Sequence, residues 1–208
     1  MGKVISLLSH KYQKAAEKGF QEWRRLFKPI ADFDRHTRWA DLPDEVVAFL
    51  CEENPDSQFI LYNLIMRSQG LGTGYDFERQ PYDRLTLLMN AYFFIIDQAR
   101  FECMRRIGWL KRIPREEQSI LEVIMESENY DYPTLMETTE PTPAHPAYAE
   151  YLKSCDLERS ALVRKSFPEA IRLFKTEQER KTRGTERRVH GRAGGESPSQ
   201  ESHQGVSE

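Results

Sequence analysis

Leu85-Thr86-Leu87-Leu88-Met89-Asn90-Ala91-Tyr92-Phe93-Phe94-Ile95-Ile96 is the stretch whose reading decides the fold. On a helical wheel its apolar side chains fall on nearly every side. A helix apolar all round lies inside a protein core or inside a membrane. Spanning a bilayer takes roughly 20 mostly apolar residues, whereas Arg84 and Asp97 bracket this run. The reading is a buried central helix over about 81–110, in a protein with a core of its own.

The flanking segments read as further helices. Asp41 is placed to cap a helix over 42–53, with Pro43, Asp44 and Glu45 at its start. Asn54-Pro55 repeats that signal for a helix over 55–69, ended by the glycine-rich turn at Gly70-Leu71-Gly72-Thr73-Gly74. No strand precedes that turn and no Lys-Ser/Thr follows it, so it is not a phosphate loop. Beyond Gly108, Ile113-Pro114-Arg115-Glu116-Glu117 suggests a new helix start, with Ile120, Leu121, Val123 and Ile124 on its buried face to about Ser127. Two more helices are expected, one from Pro146 to Cys155 and one over 157–182, kinked or broken near Pro168.

No segment alternates in the manner of a strand. The expected fold is therefore all-α, an irregular bundle of six or seven helices around 81–110, with a disordered C-terminal tail. The expected organisation is a basic N-terminal helix (1–28), an acidic helical domain (29–182) and the tail (183–208). That tail is Gly-, Ser-, Gln- and Arg-rich with few apolar residues, too few to build a core.

Charge is unevenly spread. Residues 3–28 hold seven Lys/Arg against two acids and 175–192 hold seven against three, so an acidic middle lies between two basic arms. From Val4 to Phe27 apolar residues recur at spacings of three and four, opposite Lys11, Lys14, Lys18, Arg24 and Arg25. Trp23 belongs to the apolar stripe. Such a helix can pack along the body or lie on a membrane surface; internal packing is the preferred expectation. Met1-Gly2-Lys3-Val4-Ile5-Ser6 fits the short myristoylation pattern, which is also common by chance.

Candidate chemistry is sparse. Asp83, Asn90 and Asp97 recur every seven residues and draw a polar line along the central helix, the one candidate ligand-binding set. Asp97 can pair with Arg100, and Glu102 with Arg105 or Arg106. Cys51, Cys103 and Cys155 are widely separated, which points to reduced thiols, most naturally buried and inert in a cytoplasmic protein. Glu116 to Leu152 contains nine acids and no Lys or Arg, yet lacks a calcium-loop pattern and reads as a solvated surface. His36 and His145 have no ligand company. No catalytic residue, metal ligand or cofactor is indicated.

Three function classes remain, in this order. The first is a non-catalytic interaction or regulatory adaptor protein whose partner is another protein, met through the basic arms and the Pro-rich acidic segment 128–146. The second is a helical enzyme or small-ligand-binding protein using Asp83, Asn90 and Asp97. The third is a membrane-surface binder acting through residues 3–28. Nucleic acid is disfavoured, because the body is acidic and no base-reading helix stands out.

Overall fold

The computed structural model describes residues 36–126 and 139–192, apart from the side chains of Glu126, of Leu157 and of 182–192. A 3₁₀ turn at Trp39–Asp41 leads into α1 (Asp44–Cys51), α2 (Pro55–Ser68), a second 3₁₀ turn (Gly74–Asp76) and α3 (Tyr82–Arg106). Then follow β1 (Leu110–Arg112), α4 (Ile120–Glu126), β2 (Glu140–Pro141), α5 (Tyr148–Tyr151), α6 (Asp156–Lys165) and α7 (Phe167–Arg192). The fold is all-α in character. Among the described residues it adds an antiparallel ribbon pairing Leu110 with Pro141 and Arg112 with Glu140. Strands of three and two residues are too short to show alternation, so the sequence carries no sign of them.

The helix ends follow local chemistry. Asn54 caps α2 by accepting from the Ser57 amide at 2.9 Å, while Pro55 takes the first helical position. Gly108, at φ +79°, ends α3 in a left-handed turn, and Trp109 N donates back to Met104 O at 2.9 Å. Two expected starts move. Asp41 accepts from the Arg38 amide and closes the 3₁₀ turn, leaving α1 without a side-chain cap. Helix α4 begins at Ile120 rather than Pro114, because Ser119 and Glu122 form a reciprocal capping pair there. Arg115, at φ +57°, breaks any helix before it.

Helix α5 is a single turn, shorter than the 146–155 expected. The break near Pro168 occurs as expected, with Ser166 separating α6 from α7 and Pro168 sitting in a first turn that tolerates it. α7 continues to Arg192, past the anticipated boundary at 183, and the tail from 193 onward lies outside the described residues.

Helix α3 packs against α1, α2, α4, α7 and β1. Val46, Val47 and Leu50 of α1, Leu61, Leu64 and Ile65 of α2, and Ala170 and Phe174 of α7 close the core around it. Burial along α3 is displaced from the expected centre. From Phe94 to Met104 every residue except half-buried Arg100 is buried, including Asp97, Gln98 and Glu102. The more uniformly apolar first half has one side uncovered: Tyr82 is 83% exposed, Leu87 46% and Phe93 47%.

Candidate functional site

Asp83, Asn90 and Asp97 do not converge. Seven residues of helix rise about 10 Å, so Asp83 and Asp97 are separated by about 21 Å along α3. Asp83 and Asn90 are exposed on its uncovered half, and Asp97 alone is buried. The polar line is therefore not an interior site. Only its last member enters a charged cluster.

That cluster joins three helices. The Asp97 carboxylate accepts from Arg164 Nε, in the last turn of α6, at 2.8 Å. It lies 3.6 Å from Arg100, one turn on along α3, as the spacing suggested. Arg164 also donates to Ser160 Oγ at 3.0 Å. Arg100 in turn contacts the exposed Glu53 carboxylate and stands 5.6 Å over the Phe167 ring. The cluster opens into a cleft of about 450 Å³ whose walls include Asn54, Arg100, Arg164, Phe167, Pro168 and Ile171. Arg164, Glu53 and Phe167 escaped the sequence reading because no local spacing links them to Asp97.

Cys51 also lines this cleft, but as a buried group. Burial pushes its thiol well up, and the hydrogen-bonded neighbour Cys103 adds to the effect. A thiol held in its protonated form is a poor nucleophile. Cys155 differs from expectation: it is exposed, at the N-cap position of α6.

A second charged cluster fastens the fold. Fully buried Glu102 accepts from both Arg105 and Arg106 at 2.7 Å. Arg106 continues to Asp44 at 2.6 Å and to the carbonyl oxygens of Trp39 and Leu42 at 3.1 and 2.7 Å. Gln178 and Lys181 of α7 reach the other Asp44 oxygen. Burial would raise the Asp44 carboxyl, but the bonds from Arg106 and Gln178 outweigh it and hold it below the usual range. With both sides of each pair engaged, this cluster offers no opening to a ligand.

The uncovered side of α3 has a different character. Tyr82 and Phe93 are eleven residues apart, so they share one face within about 20°, with Met89 between them. Phe93 packs on Tyr92, which meets Tyr62, which stacks on buried Phe77 with ring centroids 3.8 Å apart. Exposed Tyr75 rests on Phe59 nearby in the α2 region. A continuous row of rings thus leads from the core to Phe93.

The remaining candidates resolve as follows. His145 is buried against Trp109, and its Nδ1 accepts from the Ala147 amide at 3.1 Å. Among the described residues no group of three or more His, Cys, Asp or Glu is arranged to hold a metal ion. A second hollow of about 550 Å³ lies by Arg112, Glu116, Glu140 and Tyr151, where Arg112 pairs with Glu116 at 3.3 Å. Part of the basic 175–192 arm is used internally: Lys175 bonds Glu52, and Lys181 lies 3.4 Å from Asp44. Lys11, Lys14, Lys18, Trp23, Arg24 and Arg25 fall outside the described residues, as does most of the Pro-rich segment before Thr139. No described helix is long and apolar enough to cross a membrane. Comparison of the chain with protein-family models, curated proteins and solved structures gives no match.

Proposed function

We propose that this is a non-catalytic interaction protein that receives a partner on the uncovered face of α3. The carrying observation is Tyr82 and Phe93, both exposed, on one face of a helix whose sequence is apolar all round. Large aromatic side chains exposed on one face of a folded protein, here with Thr86 and Asn90 between them, mark a place where another surface fits. Aromatic anchors also supply most of the binding energy where such surfaces meet.

The border of this face selects the partner's chemistry. Glu78 and Asp83 are exposed beside it, and Arg79 lies 3.7 Å from its partner Asp76. Arg84 projects about 160° round the helix from Tyr82. Arg100, further along the same face, is engaged by Glu53 and Asp97. The fitting occupant is an amphipathic helix of another protein, with basic residues flanking its apolar stripe. A second copy of α3 brings one exposed base, Arg84, on the far side of the helix from Tyr82. A cytoplasmic location belongs to the same reading, supported by the three free cysteines.

A photo-crosslinking amino acid at position 93, in the full chain in cells, tests this. One discrete adduct, mapped to a basic amphipathic helix of a different protein and lost on D83K, supports the reading. An adduct to a second copy, to residues 4–27 of the same chain, or to no defined protein overturns it.

A further inference from the structure

The cleft at Asp97 carries an inference independent of the α3 surface. Two arginines of its wall, from different helices, share the buried Asp97 carboxylate: Arg164 at 2.8 Å and Arg100 at 3.6 Å. Their side chains are 20% and 15% exposed and that of Asp97 is 7% exposed, so all three are largely removed from water. Arg100 shares that carboxylate at the longer distance, and a partly dry guanidinium calls for an anion of its own.

The chain supplies one loosely. Glu53 contacts Arg100 from the cleft mouth, yet its own side chain is 72% exposed. Its neighbour Glu52 is committed elsewhere, to Lys175 and to Asn54 Nδ2 at 2.9 Å. Arg100 Nε is buried and has no hydrogen-bond partner among the described residues, so its planar fork is not fully used. Apolar lining comes from Phe167, beneath Arg100, and from Pro168 and Ile171, all in the first turns of α7. The positive end of that helix dipole also favours an anion.

We propose that this cleft binds a small organic acid, its carboxylate replacing Glu53 on Arg100 and its apolar body resting on Phe167 and Ile171. Glu53 demonstrates that a carboxylate fits the arginine. An exposed side chain gives up such a contact at small cost. A carboxylate matches the single charge of the Glu53 side chain it replaces, whereas a phosphate dianion overshoots it and leaves the apolar lining uncovered. The volume of about 450 Å³ is within the usual range for small-molecule sites.

The test is titration of the full chain with 3-phenylpropanoate, its neutral amide 3-phenylpropanamide, and inorganic phosphate, followed by calorimetry. The acid is expected to bind and the amide and phosphate to bind at least tenfold more weakly. Because Glu53 competes for Arg100, E53A is expected to tighten the acid by roughly fivefold. R100K, which keeps the charge and loses the fork, is expected to weaken it roughly tenfold. E53A alters an exposed residue, so its thermal unfolding serves as the control for fold. No binding of the acid, equal affinity for acid and amide, preference for phosphate, or no gain in E53A each overturns the proposal.

Discussion

Arg106, in the last turn of α3, places Nη1 2.6 Å from Oδ1 of Asp44, in the first turn of α1, across 62 residues of sequence. The same guanidinium caps the carbonyls of Trp39 and Leu42 and holds buried Glu102. Removing it leaves several groups unpaired together. Arg106→Met should therefore destabilise by about 3–5 kcal/mol, the range for breaking a buried pair. Denaturant unfolding of wild type and variant measures this directly.

Asp44 makes that fastening pH-dependent. Its folded-state pKa is depressed, so the unfolded chain binds its proton more readily. The stability this adds is fully present above the unfolded carboxyl value of about 3.9 and is lost as pH falls through the lower folded value. Asp44→Asn should be less stable at pH 7 by about 1–3 kcal/mol. Its unfolding free energy should also fall less steeply than wild type below about pH 4. Equal acid slopes for the two proteins would count against the assignment.

Phe93 and Phe94 are neighbours in sequence with opposite fates, 47% and 3% exposed. Phe94→Ala should cost about 3–5 kcal/mol as a core aromatic. Phe93→Ser should stay within about 0.5 kcal/mol, as surface changes do. Similar thermal shifts for the two would show that the uncovered face of α3 is covered in solution.

The end of α7 supplies a graded test. Cutting after Arg183 removes a segment with few apolar residues and should leave the unfolding temperature nearly unchanged. Cutting after Lys175 also removes Gln178, which donates to Asp44 at 2.6 Å, and Lys181. That shorter chain should lose about 1–3 kcal/mol, the cost of hydrogen bonds to a charged group.

Periodicity and capping made most of the helices legible. Asn54-Pro55, Gly108 and Pro168 mark local events, because each acts on its own backbone. The start of α4 was harder to see. Pro114-Arg115-Glu116-Glu117 looks like a helix entry, but Ser119 and Glu122 form the capping pair that starts it. Burial along α3 was misjudged for a related reason. A wheel records which faces are apolar and not which neighbours arrive, so the apolar 85–93 half lacks a cover on one side. The 94–104 half is enclosed despite Asp97 and Glu102 because arginines come to meet them. Arg164 lies 67 residues from Asp97, and no spacing rule spans such a gap.

Asp44 also imposes an order in time. The polypeptide is made from its N-terminus, so α1 waits unclasped until Arg106 emerges, and its second fastening waits for Gln178, 134 residues after Asp44. Until then the apolar faces of α1 and α3 lack the cover that Ala170 and Phe174 bring with α7. The nascent chain thus carries an open seam from the making of α1 to that of α7, the helix that shuts it.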